Sequence, residues 1–201
     1  MHAISIQDVG LLLTHVDMTE PLAVRDQSAV ELMAHCGLRV GELIGLDVFD
    51  VYHNGQARPR LFVRPEISKG GYGSRFIPLN QVARKAVERL IDVNKRRGFS
   101  VDPHAPLFVT KRHQRLTTRA VQYIVADLRE RAGLTAQVTP HELRRCFGTE
   151  VMRATGNAAV ASALLGHAHV DTCLKHYVRP SDADLVDAVE RLAQRGGRAH
   201  V

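Results

Sequence analysis

The sequence predicts an α+β fold: a mostly helical domain with a small three-stranded antiparallel sheet. Three observations indicate this class. Apolar residues recur at helical spacing over most of the 201 residues, short β-branched and aromatic segments occur only in the second quarter, and no repeat or linker divides the chain. The composition, 45% hydrophobic and 24% charged, is that of a globular protein and excludes a disordered or collagen-like chain.

Three helices are predicted before the strands. Ser5 and Asp8 form a capping box ahead of the first apolar-periodic run. A second helix begins near Pro21 and ends at Gly37, which is suited to the left-handed conformation of a helix C-terminus. Residues 38–46 form a short third helix.

The strand region follows at once. VFDVY, the turn HNG, RPRLFVRPEI and GSRFIPL are short segments rich in β-branched and aromatic residues and divided by turn residues. They predict two or three antiparallel strands. SKGGYG forms a glycine-rich turn between the last two segments.

The rest of the chain is predicted to be helical again. Residues 80–97 form an amphipathic helix, whereas GFSVDPHAPLFV, with two prolines, is irregular. Thr117 or Thr118 caps a helix that ends at Gly133, and Pro140 opens the helix HELRRCFGTEVMRAT. Three further helices are predicted over 158–165, 171–177 and 182–194. The buried face of the helix over 80–97 is predicted to hold Val82, Ala86, Val87, Leu90 and Ile91.

The net charge of +6 is unevenly distributed. Residues 1–60 carry a net charge of −4, residues 61–100 carry +6, and residues 101–201 carry +4. Such an asymmetric basic surface indicates a polyanionic partner, first of all nucleic acid. Phosphate contacts are expected from basic residues of the chain after residue 60: Arg75, Lys111, Arg112, Arg115 and Arg119.

Cysteine usage and the N-terminus predict a cytoplasmic protein. Cys36, Cys146 and Cys173 are odd in number and widely spaced, which fits a reducing compartment rather than a disulfide framework. MHAISIQDVG lacks the basic and apolar regions of a secretory signal.

Several motifs are near misses for other chemistry. HELRR lacks the second histidine of a zinc-protease helix, because Arg145 stands in its place. SKGGYG lacks the residue order of a P-loop. His167, His169 and His176 have no nearby acidic or cysteine ligand, so they are a poor metal site. We expect neither a metal nor a cofactor.

Four separated segments resemble the catalytic domain of the tyrosine recombinases, the family of phage integrases and Xer-type resolvases. CGLRVGELIGL resembles the first-arginine box, SKGGYGSRFIPL the hairpin lysine segment, TPHELRRCFGTEVM the His-x-x-Arg box, and LLGHAHVDTCLKHYV the box with the second histidine and the nucleophile. Taken singly, the residues in these segments are ordinary polar surface residues; four matches in order carry the resemblance. It implies the DNA breaking-rejoining enzyme fold.

The resemblance also implies a site and a mechanism. The expected catalytic residues are Arg39, Lys69, His141, Arg144, His167 and Tyr177. Glu42 is expected to orient a neighbouring side chain rather than to act on the substrate. The implied activity is site-specific DNA recombination or integration through a 3′-phosphotyrosyl intermediate, without metal or ATP. The implied partners are double-stranded DNA at a recombination site and other copies of the protein in a tetrameric synaptic complex, which would associate with the nucleoid.

Two departures from the family pattern stand out. Arg145 occupies a position where family members often carry histidine. Only 38 residues precede Arg39, so we expect residues 1–201 to be the catalytic domain without its N-terminal core-binding domain. Two alternatives stay open: a non-catalytic DNA-binding remnant or regulator that retains the fold, and a relaxing enzyme like the type IB topoisomerases.

Overall fold

The computed structural model describes residues 4–20, 22–68 and 73–166. Lys69, His167 and Tyr177 lie outside these residues, as do the helices predicted over 171–177 and 182–194. The helices of the described chain are α1 (Ile6–Thr14), α2 (Ala23–Cys36), α3 (Val40–Gly45), α4 (Val48–Val51), α5 (Gln81–Arg96), α6 (Thr118–Arg131), α7 (Pro140–Thr155) and α8 (Ala158–Leu165). The strands are β1 (Tyr52–His53), β2 (Gln56–Ala57), β3 (Arg60–Val63) and β4 (Arg75–Pro78).

The predicted fold class is confirmed, and most helix boundaries follow from local caps. The Ser5 hydroxyl accepts the Asp8 N–H at 3.2 Å while the Asp8 carboxylate accepts the Ser5 N–H at 2.7 Å, which completes the predicted capping box. The hydroxyls of Thr117 and Thr139 cap α6 and α7 by accepting the N–H groups of Ala120 and Glu142. Within the described residues no helix is long and apolar enough to cross a bilayer.

The expected single three-stranded sheet is wrong in its arrangement. Within the described chain, β1 pairs only with β2, and β3 pairs only with β4, each pair antiparallel. The first pair closes through Asn54 and Gly55, both with positive φ, as a tight Asn-Gly turn requires. The second pair aligns Val63 with Arg75 and Leu61 with Ile77.

The segment VFDVY was predicted to be a strand, but most of it is a helical turn, α4. The Asp50 carboxylate accepts the backbone N–H of Asp47 at 2.9 Å, which favours a turn. The N–H groups of Val48 and Phe49 donate to carbonyls of the irregular segment, Ala105 and Pro103. A distant segment therefore overrides the β-propensity of this stretch.

Helix α2 lies at the centre of the core. It packs against α5 on one side and α7 on another, and its apolar side chains are almost completely buried, Leu32 and Met33 among them. Because α2 is enclosed on several sides, even its polar residues Ser28 and Glu31 are buried. On α5 the predicted buried face holds except at Val82, which is 40% exposed. Ala83 is buried in its place, because it lies three and four residues before the buried Ala86 and Val87 and so shares their face.

Candidate active site

The first-arginine box forms a sharp corner between two helices. Gly37 ends α2 with a φ of +61°, and the chain enters α3 two residues later at Arg39. The Glu42 carboxylate accepts the Arg39 backbone N–H at 2.8 Å and the Arg39 Nη1 at 2.8 Å. The three-residue spacing of Arg39 and Glu42 is therefore the spacing of a helix N-terminus.

Glu42 is the centre of a buried cluster of arginines. Its side chain is 1% exposed. Arg75 binds it with both prongs, Nη1 to Oε1 at 2.9 Å and Nη2 to Oε2 at 2.8 Å. Arg144 approaches Oε2 to 3.7 Å. We call Arg39, Glu42, Arg75 and Arg144 the arginine cluster.

The environment of Glu42 keeps it ionised. Burial raises the pKa of its carboxyl, but the hydrogen bonds and charge of Arg75, together with the Arg39 N–H and charge, act against burial and leave the pKa below its ordinary value. An anion that is paired in this way fixes the guanidinium groups around it.

The arginine cluster also binds the C-terminal end of α8. The carbonyls of Leu164, Leu165 and Gly166 accept hydrogen bonds from three of its guanidinium groups. The donors are Arg75 Nε at 2.9 Å, Arg144 Nη2 at 2.5 Å and Arg39 Nη2 at 3.3 Å. The last carbonyls of a helix lack intrahelical partners and carry partial negative charge, so they favour cations there.

The two arginines of the predicted site differ in exposure. Arg144 is 3% exposed and donates through Nη1 to the Gly37 carbonyl at 2.5 Å. Arg39 keeps 27% of its side chain exposed. The cluster therefore presents Arg39 to solvent while Arg144 lies beneath the surface.

His141 lies on the same helix as Arg144, in the first turn of α7. Thr139 caps this helix and Pro140 occupies its first position, as predicted. His141 is exposed. Arg145, the departure from the family pattern, pairs with Glu142 on the surface at 3.2 Å and takes no part in the cluster.

Of the seven residues predicted for the site, the structure brings Arg39, Glu42 and Arg144 together. His141 is placed on the helix of Arg144, and the remaining three lie outside the described residues. Arg75 is the member of the cluster that sequence interpretation did not place there, since it was expected only as a phosphate contact. The alternation of side chains along the strand RFIP could have indicated this. Arg75 is two residues before the buried Ile77 and so shares its face, whereas Phe76 lies on the opposite, exposed face.

Arg115, another expected phosphate contact, is also bound within the protein. It donates to Asp47 at 2.5 Å and to the carbonyls of Ile44 and Leu46 at 2.9 Å. Arg64 pairs with the same Asp47 carboxylate at 2.8 Å. These contacts hold the corner after α3 in place, and the guanidinium of Arg115 contributes to them within the protein.

No group of three histidine, cysteine or acidic side chains suited to a metal occurs in the described part of the chain.

The family model of the phage integrase family matches residues 4–184. This chain belongs to the phage integrase family. The family predicted from the four sequence segments is thereby confirmed.

Relatives and solved structures agree with this assignment. The tyrosine recombinase XerC of Salmonella typhi is 33% identical over 195 residues, which are 96% of this chain and 61% of that protein. The chain thus spans about three fifths of the length of this curated relative. A crystal structure of XerA recombinase matches with a TM-score of 0.76 and 28% identity, covering 95% of this chain and 65% of that one.

A more distant structure shares the fold. XerH site-specific recombinase, solved bound to its palindromic difH substrate in a post-cleavage complex, matches with a TM-score of 0.75 and 19% identity. The alignment covers 92% of this chain and 51% of XerH. The helical domain with antiparallel hairpins is therefore the fold of the tyrosine recombinase catalytic domain.

Proposed function

We propose that this chain cleaves and rejoins double-stranded DNA as the catalytic domain of a site-specific tyrosine recombinase. The observation that carries the proposal is the arginine cluster, which joins Arg39 and Arg144 from distant helices around one buried carboxylate. Family membership and the XerC and XerA relatives support the same reaction class.

The charge of the cluster suits a phosphodiester. Three guanidinium groups and the one carboxylate of Glu42 leave two formal positive charges at a largely buried place. A phosphodiester gains negative charge as its phosphorus becomes pentacoordinate, and fixed cations stabilise that state. Arg39, the more exposed arginine, would bind the phosphate first, and Arg144 would complete the clamp by exchanging a carbonyl partner for a phosphate oxygen.

The remaining roles follow the family resemblance. The Tyr177 hydroxyl oxygen would form a bond to phosphorus while the bond from phosphorus to the 5′-oxygen breaks. His141 would accept the phenol proton, and Lys69 would donate a proton to the departing 5′-oxygen. His167 would donate a hydrogen bond to the phosphate. Attack by a released 5′-hydroxyl reverses these steps and rejoins the strand without ATP.

We further propose that the DNA partner is a specific recombination site and that four copies of the protein assemble on two such sites. This activity would place the protein on the nucleoid. A plasmid with two sites separates exchange from relaxation: recombinant circles indicate pairing of sites, whereas relaxation without exchange favours the topoisomerase-like alternative.

A suicide-substrate experiment tests the cleavage step. The protein is mixed with a library of nicked duplexes of varied sequence, in which the released 5′ fragment diffuses away and traps the covalent complex. Adducts that resist SDS are isolated, the DNA is sequenced, and the modified peptide is located by mass spectrometry. The expected result is phosphotyrosine at Tyr177.

The matched control is the neighbouring residue. Tyr177→Phe is expected to abolish the adduct, whereas His176→Phe leaves it, because His176 is not the proposed nucleophile. An adduct on another side chain, or none on any duplex, overturns the proposal. Sequence-specific DNA binding without an adduct would instead support the non-catalytic regulator.

A further inference from the structure

We propose that Arg75 is a positioning residue that saturates the Glu42 carboxylate and thereby keeps Arg144 from hydrogen-bonding to it, in place for phosphate. The inference rests on the proposed function, since it concerns the phosphate clamp of that reaction. It assigns a task to an arginine that belongs to neither predicted arginine box.

Arg75 connects three separate segments of the chain. It lies at the start of β4, and its Nη1 and Nη2 bind Glu42 on α3, 33 residues away in sequence. Its Nε binds the Leu164 carbonyl at the end of α8, 89 residues away. The side chain is 11% exposed, and three of its five N–H groups donate to these protein partners.

The hydrogen bonds show how Glu42 is shared. Oε1 accepts from Arg39 Nη1 at 2.8 Å and from Arg75 Nη1 at 2.9 Å. Oε2 accepts from the Arg39 N–H and from Arg75 Nη2, both at 2.8 Å, and Arg144 stays 3.7 Å away. Arg75 therefore occupies the hydrogen-bonding positions on the Glu42 carboxylate that Arg144 would otherwise take.

Removing Arg75 would change both charge and geometry. The net formal charge of the cluster would fall from two to one, and Glu42, left with the hydrogen bonds from Arg39, would compete with the phosphate for Arg144. The expected defect is in the chemical step, because an arginine displaced by a small distance stabilises the transition state poorly.

Gly166 gives an independent sign that the site is built around Arg75. Its φ is +63°, and an added Cβ would lie 2.9 Å from Arg75 Nη1 and 3.1 Å from Arg75 Cδ. The last turn before the second-histidine box thus packs directly on the Arg75 side chain. The two positions should be energetically coupled.

The test compares single-turnover cleavage of the trapped duplex by the full chain, wild type and variants, with DNA affinity measured in parallel. Arg75→Gln is expected to lower the rate constant at saturating DNA about tenfold or more while DNA affinity changes less than about threefold. Arg75→Lys keeps the positive charge but lacks the two-pronged guanidinium, so its rate constant should lie between those of wild type and Arg75→Gln.

Arg89→Gln is the matched control for structural loss. Arg89 pairs with the buried Glu31 at 2.5 Å, between α5 and α2 and outside the arginine cluster. This variant also deprives a buried carboxylate of its arginine. It should lower stability as Arg75→Gln does, yet leave the rate constant of the folded protein unchanged.

A double-mutant cycle with Gly166→Ala completes the design. The rate loss caused by Gly166→Ala should be smaller in the Arg75→Gln background than in wild type, because the clashing side chain is shortened. Equal rate constants for Arg75→Gln and Arg89→Gln, or strictly additive effects with Gly166→Ala, would overturn the role of Arg75 alone. Absence of any wild-type adduct would overturn the proposed function and this inference with it.

Discussion

Replacing Glu42 by leucine should destabilise the domain strongly, because it leaves the arginines of the cluster without their anion. Glu42 is 1% exposed and accepts four hydrogen bonds, one from the Arg39 backbone and three from guanidinium groups. Hydrogen bonds to charged groups contribute roughly 1.5–3 kcal/mol each, which sets an upper limit of about 6–12 kcal/mol.

The expected loss is smaller than this limit. Arg39 is 27% exposed and regains water, and bonds that share one carboxylate are not additive. Breaking a buried ion pair by removing one partner costs about 3–5 kcal/mol, and we expect a loss of unfolding free energy in that range. For a domain of this size that corresponds to a fall in Tm of about 6–20 °C.

Urea unfolding of wild type and Glu42→Leu, followed by circular dichroism, measures this loss. Asp92→Asn is the control, because the Asp92–Arg96 pair is more than 60% exposed on both sides and should change stability by less than about 1 kcal/mol. Because the pKa of Glu42 is lowered in the folded protein, the stability that its carboxylate contributes is present above the ordinary pKa of 4.5. That stability is lost as the pH falls through the pKa of the folded state. The loss should therefore be the same at pH 7 and pH 5. A loss no larger than that of Asp92→Asn would refute the view that Glu42 anchors the cluster.

Two further predictions concern the core and the corner before Arg39. Burial raises the pKa of Cys36 and Cys146 to about 12, so in a Cys173→Ser background neither thiol should react with Ellman's reagent until urea unfolds the protein. Rapid labelling of the native protein would contradict their burial. The stability that these buried neutral thiols contribute is present below about pH 9 and is lost as the pH rises toward 12. Gly37→Ala should lower the free energy of unfolding in urea more than Gly156→Ala does. Both glycines have φ near +60°, where an alanine costs about 1–2 kcal/mol, but of the two only the Cβ at Gly37 would overlap the ring of Phe147. Equal losses would contradict that contact.

The features that could be predicted from sequence are those that neighbouring residues decide. Ser5 with Asp8, and Thr139 with Pro140, set helix starts through bonds within one turn. Gly37 ends α2 because a left-handed residue suits glycine. Where the prediction was wrong, a distant segment intervened: α4 forms in place of a strand because Val48 and Phe49 donate to the carbonyls of residues 103–105.

The arginine cluster divides in the same way. The sequence by itself determined the family, the fold class and the candidate residues Arg39, Glu42 and Arg144, because each box is a local pattern. Only the tertiary structure decided that Arg75 belongs with them, since that depends on β4 meeting α3 and the end of α8. A carboxylate as deeply buried as Glu42 requires compensating cations, and the partner that satisfies it is chosen by the packing of segments far apart in the chain.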